Sequence, residues 1–534
     1  MKRFRQTSYG YLFIALLAAV CYGLHLYLLR HQVANIFTDP VSLKVMYASI
    51  GVASVFGYAV YLSFFFACFL FLTEKERLMP YLSQFLLYFI PLFLLLVLLW
   101  PGVFKGDEYY VLDAVRRYTL SSAQTGLTSL FYICALRFFP SLGSIPFFQI
   151  LIISCIYAYV FKNLSELSGG KNPKGLVLLR IVFFLFPVLD ADLFTLRASL
   201  VGWLFLLLLT GLYFAYKKQD LSWKTMILLS LLSGLIMAWR TEYLYLLVCL
   251  PAAFYILRKK MKKTDVRVFV TAGVILLSFL ICRIPNKVAD HGMNKYPISL
   301  VINPVSNILS QDVIKGEYAY DDVMTLNELI DVASFHKHSS VRNISQYWNI
   351  PDTLPKEQLN RFMKASFRLI FANFDRFLYY RWQTFAYTNG MVADDVNHPT
   401  APTADTIYTL NYYGDDFRSR YYCCDSPFEN VREGIINALN CRVYGKESVK
   451  TNVLYPVFYN ALIPFVLSLL CLVFCLLKKR TIPAGLHALN LLQVPLVFLT
   501  APAMFFMYYF AFYLCGYFLC ALTVADAVSG NDGS

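Results

Sequence analysis

Residues 120–139 read LSSAQTGLTSLFYICALRFF, and the topology of the whole chain turns on whether this stretch crosses a bilayer. A membrane-spanning helix needs about 20 mainly apolar residues. The run through Gly126, Leu127, Phe131, Tyr132 and Ile133, ending at Arg137, is apolar enough to be counted. Working outward, apolar windows lie at 9–29, 45–72 and 81–100 before it, and at 145–161, 175–190, 194–216, 223–239, 243–257, 266–285, 453–477, 483–500 and 503–527 after it. If 120–139 also crossed, every later loop would change sides, and the run Arg258, Lys259, Lys260, Lys262, Lys263, Arg267 would lie outside. Short cytoplasmic loops are the ones that carry Lys and Arg. Reading 120–139 as an amphipathic or re-entrant helix on the outer face removes the conflict. Lys2/Arg3/Arg5, Lys75/Arg77, Lys162/Lys171/Lys174, Lys217/Lys218/Lys224, Arg258–Arg267 and Lys478/Lys479/Arg480 then all fall inside. The alternate loops hold Asp39, Asp107, Glu108, Asp113, Asp190, Asp192 and Glu242.

Composition supports the same class. Of 534 residues, 58% are hydrophobic and 15% charged, against about 25% charged in a soluble domain. Such a chain cannot solvate its own surface, and disordered, collagen-like and coiled-coil classes fall with the soluble one. The expected fold is an all-α polytopic membrane protein with about 12 transmembrane helices and a mostly helical, mixed extracytoplasmic domain. Three regions follow: a membrane domain at 1–285 with an outer loop at 101–144, an extracytoplasmic domain at 286–450, and a membrane segment at 451–534. The first window is long for a signal peptide's apolar core and is read as a retained helix, which makes both termini cytoplasmic. The net charge is +14, but 286–450 carries 19 acidic and 17 basic side chains, so the basic excess belongs to the membrane part. That excess reads as topology signal and anionic-lipid contact, with no nucleic-acid motif to compete.

Within 286–450, Leu326, Leu329, Ile330, Val332 and Ala333, then Leu359, Phe362, Met363, Phe367, Leu369 and Ile370, follow the helical period. Asn389–Cys424 reads as loop with a short hairpin. Ten of the thirteen cysteines lie in apolar windows as small core residues; Cys441 could pair with Cys423 or Cys424 in an oxidising compartment. The His336 and His338 pair and the acid pairs Asp394/Asp395 and Asp415/Asp416 read as solvated groups, and Asn343-Ile-Ser345 matters only as a eukaryotic glycosylation acceptor.

The chemistry concentrates after the third window, in Trp100-Pro-Gly-Val-Phe-Lys-Gly-Asp107-Glu108-Tyr109-Tyr110, followed by Asp113, Arg116 and Arg117. Pro101 and Gly102 end the helix, and Gly106 lets the backbone turn. The acidic pair then stands at the outer membrane surface, where partial shielding raises a carboxylate toward a useful base. Asp190 and Asp192 end the fifth window, closely followed by Arg197, and a third outer turn holds Arg240 and Glu242. Arg240 could grip a phosphate with forked hydrogen bonds while a carboxylate takes a proton from an incoming hydroxyl. Asp190 and Asp192 could chelate a divalent cation beside a diphosphate, although two carboxylates specify none. Each group also has a bland reading, as solvation of a helix end or an interfacial ion pair.

An acidic pair opening the first major outer loop, an outer helix at 120–139, a second acidic loop and a large outer domain together resemble the GT-C superfamily of integral-membrane glycosyltransferases. Gly106-Asp107-Glu108 is similar to the Asp-Glu signature of its protein O-mannosyltransferase and aminoarabinose-transferase branches, and Asn303–Tyr387 to the outer segment of uncharacterised bacterial members. The resemblance implies a multi-pass enzyme of the bacterial plasma membrane that moves a sugar from a polyprenyl-phosphate donor to an extracytoplasmic glycan, lipid or protein acceptor. Asp107 would match the general base, Glu108 its support, and Asp190 or Asp192 the second acidic position; no cofactor is required. The chain departs from the family in having two windows before the motif where one is common, and in lacking adjacent tryptophans. The physical chemistry agrees in kind, because a lipid-tied phosphate obliges its enzyme to place acid, base and phosphate ligand at the interface. A polysaccharide polymerase or ligase would share this donor chemistry. A secondary transporter would instead want mid-span ionisable groups, for which Arg180, His25 and His487 are the main candidates. A non-enzymatic envelope scaffold is the remaining alternative.

Overall fold

Ten helices among the described residues are long and apolar enough to cross a membrane: Tyr9–Ile36, Leu43–Thr73, Lys75–Leu98, Ser144–Ser168, Arg197–Lys217, Thr241–Lys260, Val268–Val288, Tyr455–Leu477, Thr481–Thr500 and Phe510–Ala527. The computed structural model describes residues 2–104, 106–121, 124–168, 173–195, 197–261, 267–288, 294–335, 345–391, 419–439, 441–444, 449–451, 454–502 and 504–528. The protein is thus an all-α, multi-pass integral membrane chain. Of the twelve windows read from the sequence, 175–190 and 223–239 fall short of that length.

In chain order, helices α1 (Lys2–Ile36), α2 (Leu43–Thr73) and α3 (Lys75–Leu98) lead to α4 (Gly106–Arg116), α5 (Gly126–Phe138) and α6 (Ser144–Ser168). Then follow α7 (Pro173–Phe183), α8 (Phe186–Leu193), α9 (Arg197–Lys217), α10 (Trp223–Trp239), α11 (Leu246–Lys260), α12 (Arg267–Cys282) and α13 (Ile284–Val288). The stretch 120–139 is α5, whose 13 residues rise only about 20 Å, too short to span. Eight of those 13 residues are buried, and none is fully exposed. The window at 175–190 is broken at Leu185, which is extended, because Pro187 has no amide to donate to the Phe183 carbonyl four residues back and its ring crowds that carbonyl. The carbonyl of Phe183 freed by that break accepts from the Tyr88 hydroxyl at 3.1 Å. Helix α10 is a single piece of 17 residues, started by Ser222, whose hydroxyl accepts from the Thr225 amide at 3.3 Å.

Helix α9 is the axis of the bundle, with 89% of its apolar window buried, whereas α2 has 6% and stands on the rim. Small residues allow the close approaches. Gly202 lies against Phe510, and a side chain at Gly234 of α10 would collide with Ser278 of α12. The two ends of the bundle differ in charge. At one end Lys162 pairs with Glu166 at 2.6 Å, and Lys217 with Asp526 at 3.0 Å. Lys218 donates to Asn163 at 2.7 Å, and Arg258 to the Leu221 carbonyl at 3.2 Å. Those basic residues, read from the sequence as belonging to one side, do gather at one end of the bundle.

The opposite end carries the polar region. Helices α14 (Ile298–Leu309), α15 (Ala319–Asn327), α16 (Val332–Phe335), α17 (Ser345–Asn349), α18 (Lys356–Ala372) and α19 (Phe374–Thr388) enclose a core of their own, including Val301, Ile302, Val305, Leu326, Phe362 and Leu369. It is seated on the membrane helices by Asn303, which donates to the Pro502 carbonyl at 2.6 Å. A hairpin of Arg442–Tyr444 and Val449–Thr451 pairs antiparallel. The loop and hairpin expected at Asn389–Cys424 lie largely outside the described residues, as do His336, His338, Asn343 and the acid pairs Asp394/Asp395 and Asp415/Asp416. No disulfide joins Cys423, Cys424 and Cys441.

Candidate functional site

The site is built around the turn that ends α3. Gly102 takes a φ of 115°, reserved in practice for glycine. Arg432, buried in the helix Glu429–Leu439, donates to the carbonyls of Leu99 at 3.3 Å and Gly102 at 2.8 Å, satisfying acceptors that a helix end leaves open. The Trp100 indole donates to the Cys423 carbonyl at 2.6 Å. Immediately afterward Val103 forms a parallel bridge with Phe194, so the acidic loop lies beside the segment that joins α8 to α9. Asp107 and Glu108 then occupy the first turn of α4, where the exposed amide ends of a helix favour negative charge.

Asp107 is half-buried and Glu108 is 1% exposed. Gln124 donates to Asp107 Oδ2 at 2.7 Å, orienting the carboxylate. From Gln124 a polar chain runs to the third outer turn: the Thr128 hydroxyl donates to the Gln124 carbonyl at 2.7 Å, and the Trp239 indole donates to Thr128 Oγ1 at 3.0 Å. Asn286 of α13 reinforces it, accepting from the Gly126 amide at 2.7 Å and donating to the Ala238 carbonyl at 3.1 Å. The residue after Trp239 is Arg240, so Asp107 and Arg240 are fixed to one framework.

Arg240 is 7% exposed and pairs with Glu242 Oε1 at 2.7 Å. Burial works against its charge, but Glu242 more than offsets that and holds the guanidinium firmly protonated. Its Cζ stands 6.0 Å from the Tyr508 ring centre, within reach of a cation–π contact. Tyr508 lies within electrostatic range of charged groups from all three loops. Its hydroxyl is kept protonated by burial first, then by Tyr296 and Asp107, against the opposing pull of Arg240 and Arg197. Tyr132 is under the influence of the same acidic pair. Burial first, then Glu108 and Asp107, raise its hydroxyl well above the usual phenol range. It donates toward Thr195, at 3.1 Å from Oγ1 and 3.2 Å from the carbonyl. Three carboxylates (Asp107, Glu108 and Glu242), two guanidiniums (Arg197 and Arg240) and two protonated phenols (Tyr132 and Tyr508) are therefore linked through these contacts and charge interactions. Next to it, Pro187, Ala191, Phe194, Ala198, Phe506 and Met507 line an apolar crevice.

The remaining sequence candidates are placed elsewhere. Asp192 is fully buried, and its two oxygens accept from the Tyr88 hydroxyl at 2.5 Å and the Trp203 indole at 2.6 Å. Its carboxylate secures the α8–α9 break between α3 and α9. Asp190, 3% exposed, lies within electrostatic range of Tyr459 and Cys441. The second loop enters the site through Thr195 and Arg197. Asp113, Arg116 and Arg117 lie toward the far end of α4, with Arg116 about 13 Å along the axis from Asp107. Asp113 and Arg116 there flank Tyr421, and the carbonyls of Arg116 and Arg117 accept from Thr38 and Val41, each at 3.1 Å.

Sequence reading missed Gln124, Thr195, Tyr132 as a site residue, and Tyr508. Gln124 is the one with a signal, since it is a polar residue at the entry to an apolar helix. Tyr508 falls inside a window read as continuous helix from 503, whereas the spanning helix starts at Phe510. Among the described residues no group of three or more His, Cys, Asp or Glu is disposed to hold a metal ion. Comparison with protein-family models, with curated proteins and with solved structures finds no match to this chain.

Proposed function

We propose that this protein is a membrane glycosyltransferase that moves a sugar from a polyprenyl-phosphate donor to a hydroxyl or amine acceptor at the membrane surface. The observation that carries the reading is that Asp107, Arg240 and Arg197 all lie within electrostatic range of the Tyr508 hydroxyl. A base and a pair of phosphate ligands are what displacement of a lipid phosphate from a sugar requires. The acceptor oxygen attacks the anomeric carbon, its proton passes to Asp107, and the carbon–oxygen bond to the phosphate breaks. The negative charge left on the lipid phosphate is held by Arg240 and Arg197, with the protonated Tyr508 as a further donor. Gln124 holds Asp107 in place, and Glu108, buried behind it, keeps the local field negative.

The test is Asp107→Asn in proteoliposomes supplied with a panel of radiolabelled polyprenyl-phosphate hexoses and membrane acceptors. Loss of a general base lowers transfer by about 10²–10⁴-fold. The variant should keep the wild-type melting temperature in detergent. Full transfer by the variant would refute the assignment. A solute flux that survives the substitution, in protein that transfers no sugar, would move the reading to a transporter.

A further inference from the structure

Helix α19 has two unlike faces. Phe377, Tyr380, Arg381, Thr384, Phe385 and Thr388 are buried. Phe374, Leu378, Tyr379 and Trp382 are 45%, 39%, 54% and 49% exposed. Positions 374, 378 and 382 repeat every four residues, so they share one side of the helix. A row of large apolar groups on the outside of a polar domain marks an interaction surface.

The position of α19 says what that surface meets. Arg381 donates to the Ala501 carbonyl at 2.6 Å, and Ala501 caps the apolar helix Gln493–Thr500. Phe385 packs with Val497, Ala501 and Tyr509. Its ring lies 6.2 Å from Phe498 in the last turn of that helix and 5.8 Å from Trp382. Leu496 and Leu499, exposed on the same spanning helix, carry the apolar surface up to this level. The exposed face of α19 therefore begins where the lipid-facing wall of a spanning helix ends. Tryptophan and tyrosine concentrate at that boundary in membrane proteins. The acid in the first turn of α19, Asp375, is paired with Lys315 at 3.0 Å.

We infer that the face Phe374–Leu378–Trp382 of α19 lies in the headgroup boundary of the leaflet on the side of the candidate site, so that lipid is a partner of the polar domain as well as of the spans. This does not depend on the proposed reaction.

The full chain, reconstituted in vesicles of phosphatidylcholine with phosphatidylglycerol, is compared with its Trp382→Phe variant. The difference emission isolates the indole of Trp382. It should peak to the blue of a water-exposed indole and lose most of its intensity when the lipids are brominated near the headgroup end of their chains. Bromine near the terminal methyl should quench it far less. An unquenched difference spectrum would overturn the inference. A photo-crosslinking residue in place of Leu378 gives a second, independent answer. Capture of lipid supports the assignment, and capture of another copy of this chain overturns it.

Discussion

Asp107 is oriented by an uncharged neighbour, and that is where the residue scale becomes testable. Gln124 touches the carboxylate at 2.7 Å. A Gln124→Leu substitution should therefore lower kcat by about tenfold or more with a smaller change in KM, because a misaligned base acts on the transition state rather than on binding. The readout is steady-state transfer in the assay given above, with the melting temperature as control. Charged residues in a chain that is 15% charged announce themselves, which is why Asp107, Glu108 and Arg240 can be singled out from the sequence as candidates. Neutral partners do not, since Gln, Thr and Tyr occur throughout and only the fold says which of them arrive. Asp192 shows the opposite failure. Its charge was visible, but nothing in the local sequence says that Tyr88, 104 positions away, and Trp203 would claim both oxygens.

At the scale of elements, the stretch 120–139 was legible as a helix that does not cross, because charge on distant loops constrained it. The broken window at 175–190 was not, although Pro187 stood in plain view. A proline in an apolar run is tolerated in membrane helices, and only tertiary partners for the freed carbonyl decide whether the run breaks. The start of α5 depends on a close approach: a side chain at Gly126 would come within 2.5 Å of the Pro285 carbonyl oxygen. Gly126→Val should destabilise the protein by about 1–3 kcal/mol, the usual cost of overpacking. Since Gln124 precedes it by two residues, transfer should fall along with the melting temperature. A thermal melt in detergent read by near-ultraviolet circular dichroism checks the first part, and unchanged melting would show that α5 and α13 can part without cost.

On the scale of the whole molecule, the helical, multi-pass character of the chain was legible from composition. How the polar region grips the bundle was not, because the contacts join residues hundreds of positions apart. Arg432 reaches the Gly102 carbonyl across 330 positions and closes the turn that presents the acidic pair. Replacing it with Met removes this donor from the buried Gly102 carbonyl, at a cost of about 1–3 kcal/mol. The expected result is earlier proteolytic cutting around 419–439 and a lower transfer rate. Limited proteolysis in detergent reports the first, and resistance equal to wild type would show that the docking survives without this guanidinium.

The enclosure of α9 carries a consequence for biogenesis. Its neighbour Phe510–Val528 meets it through the Tyr213 hydroxyl and Asp526, 313 positions later. A ribosome delivers α9 long before that companion exists. Throughout the interval the flank of the axis helix that will face Phe510–Val528 has only acyl chains or the insertion machinery against it. The central packing of this protein is consequently among the last features to be completed during synthesis, even though its first half is made early.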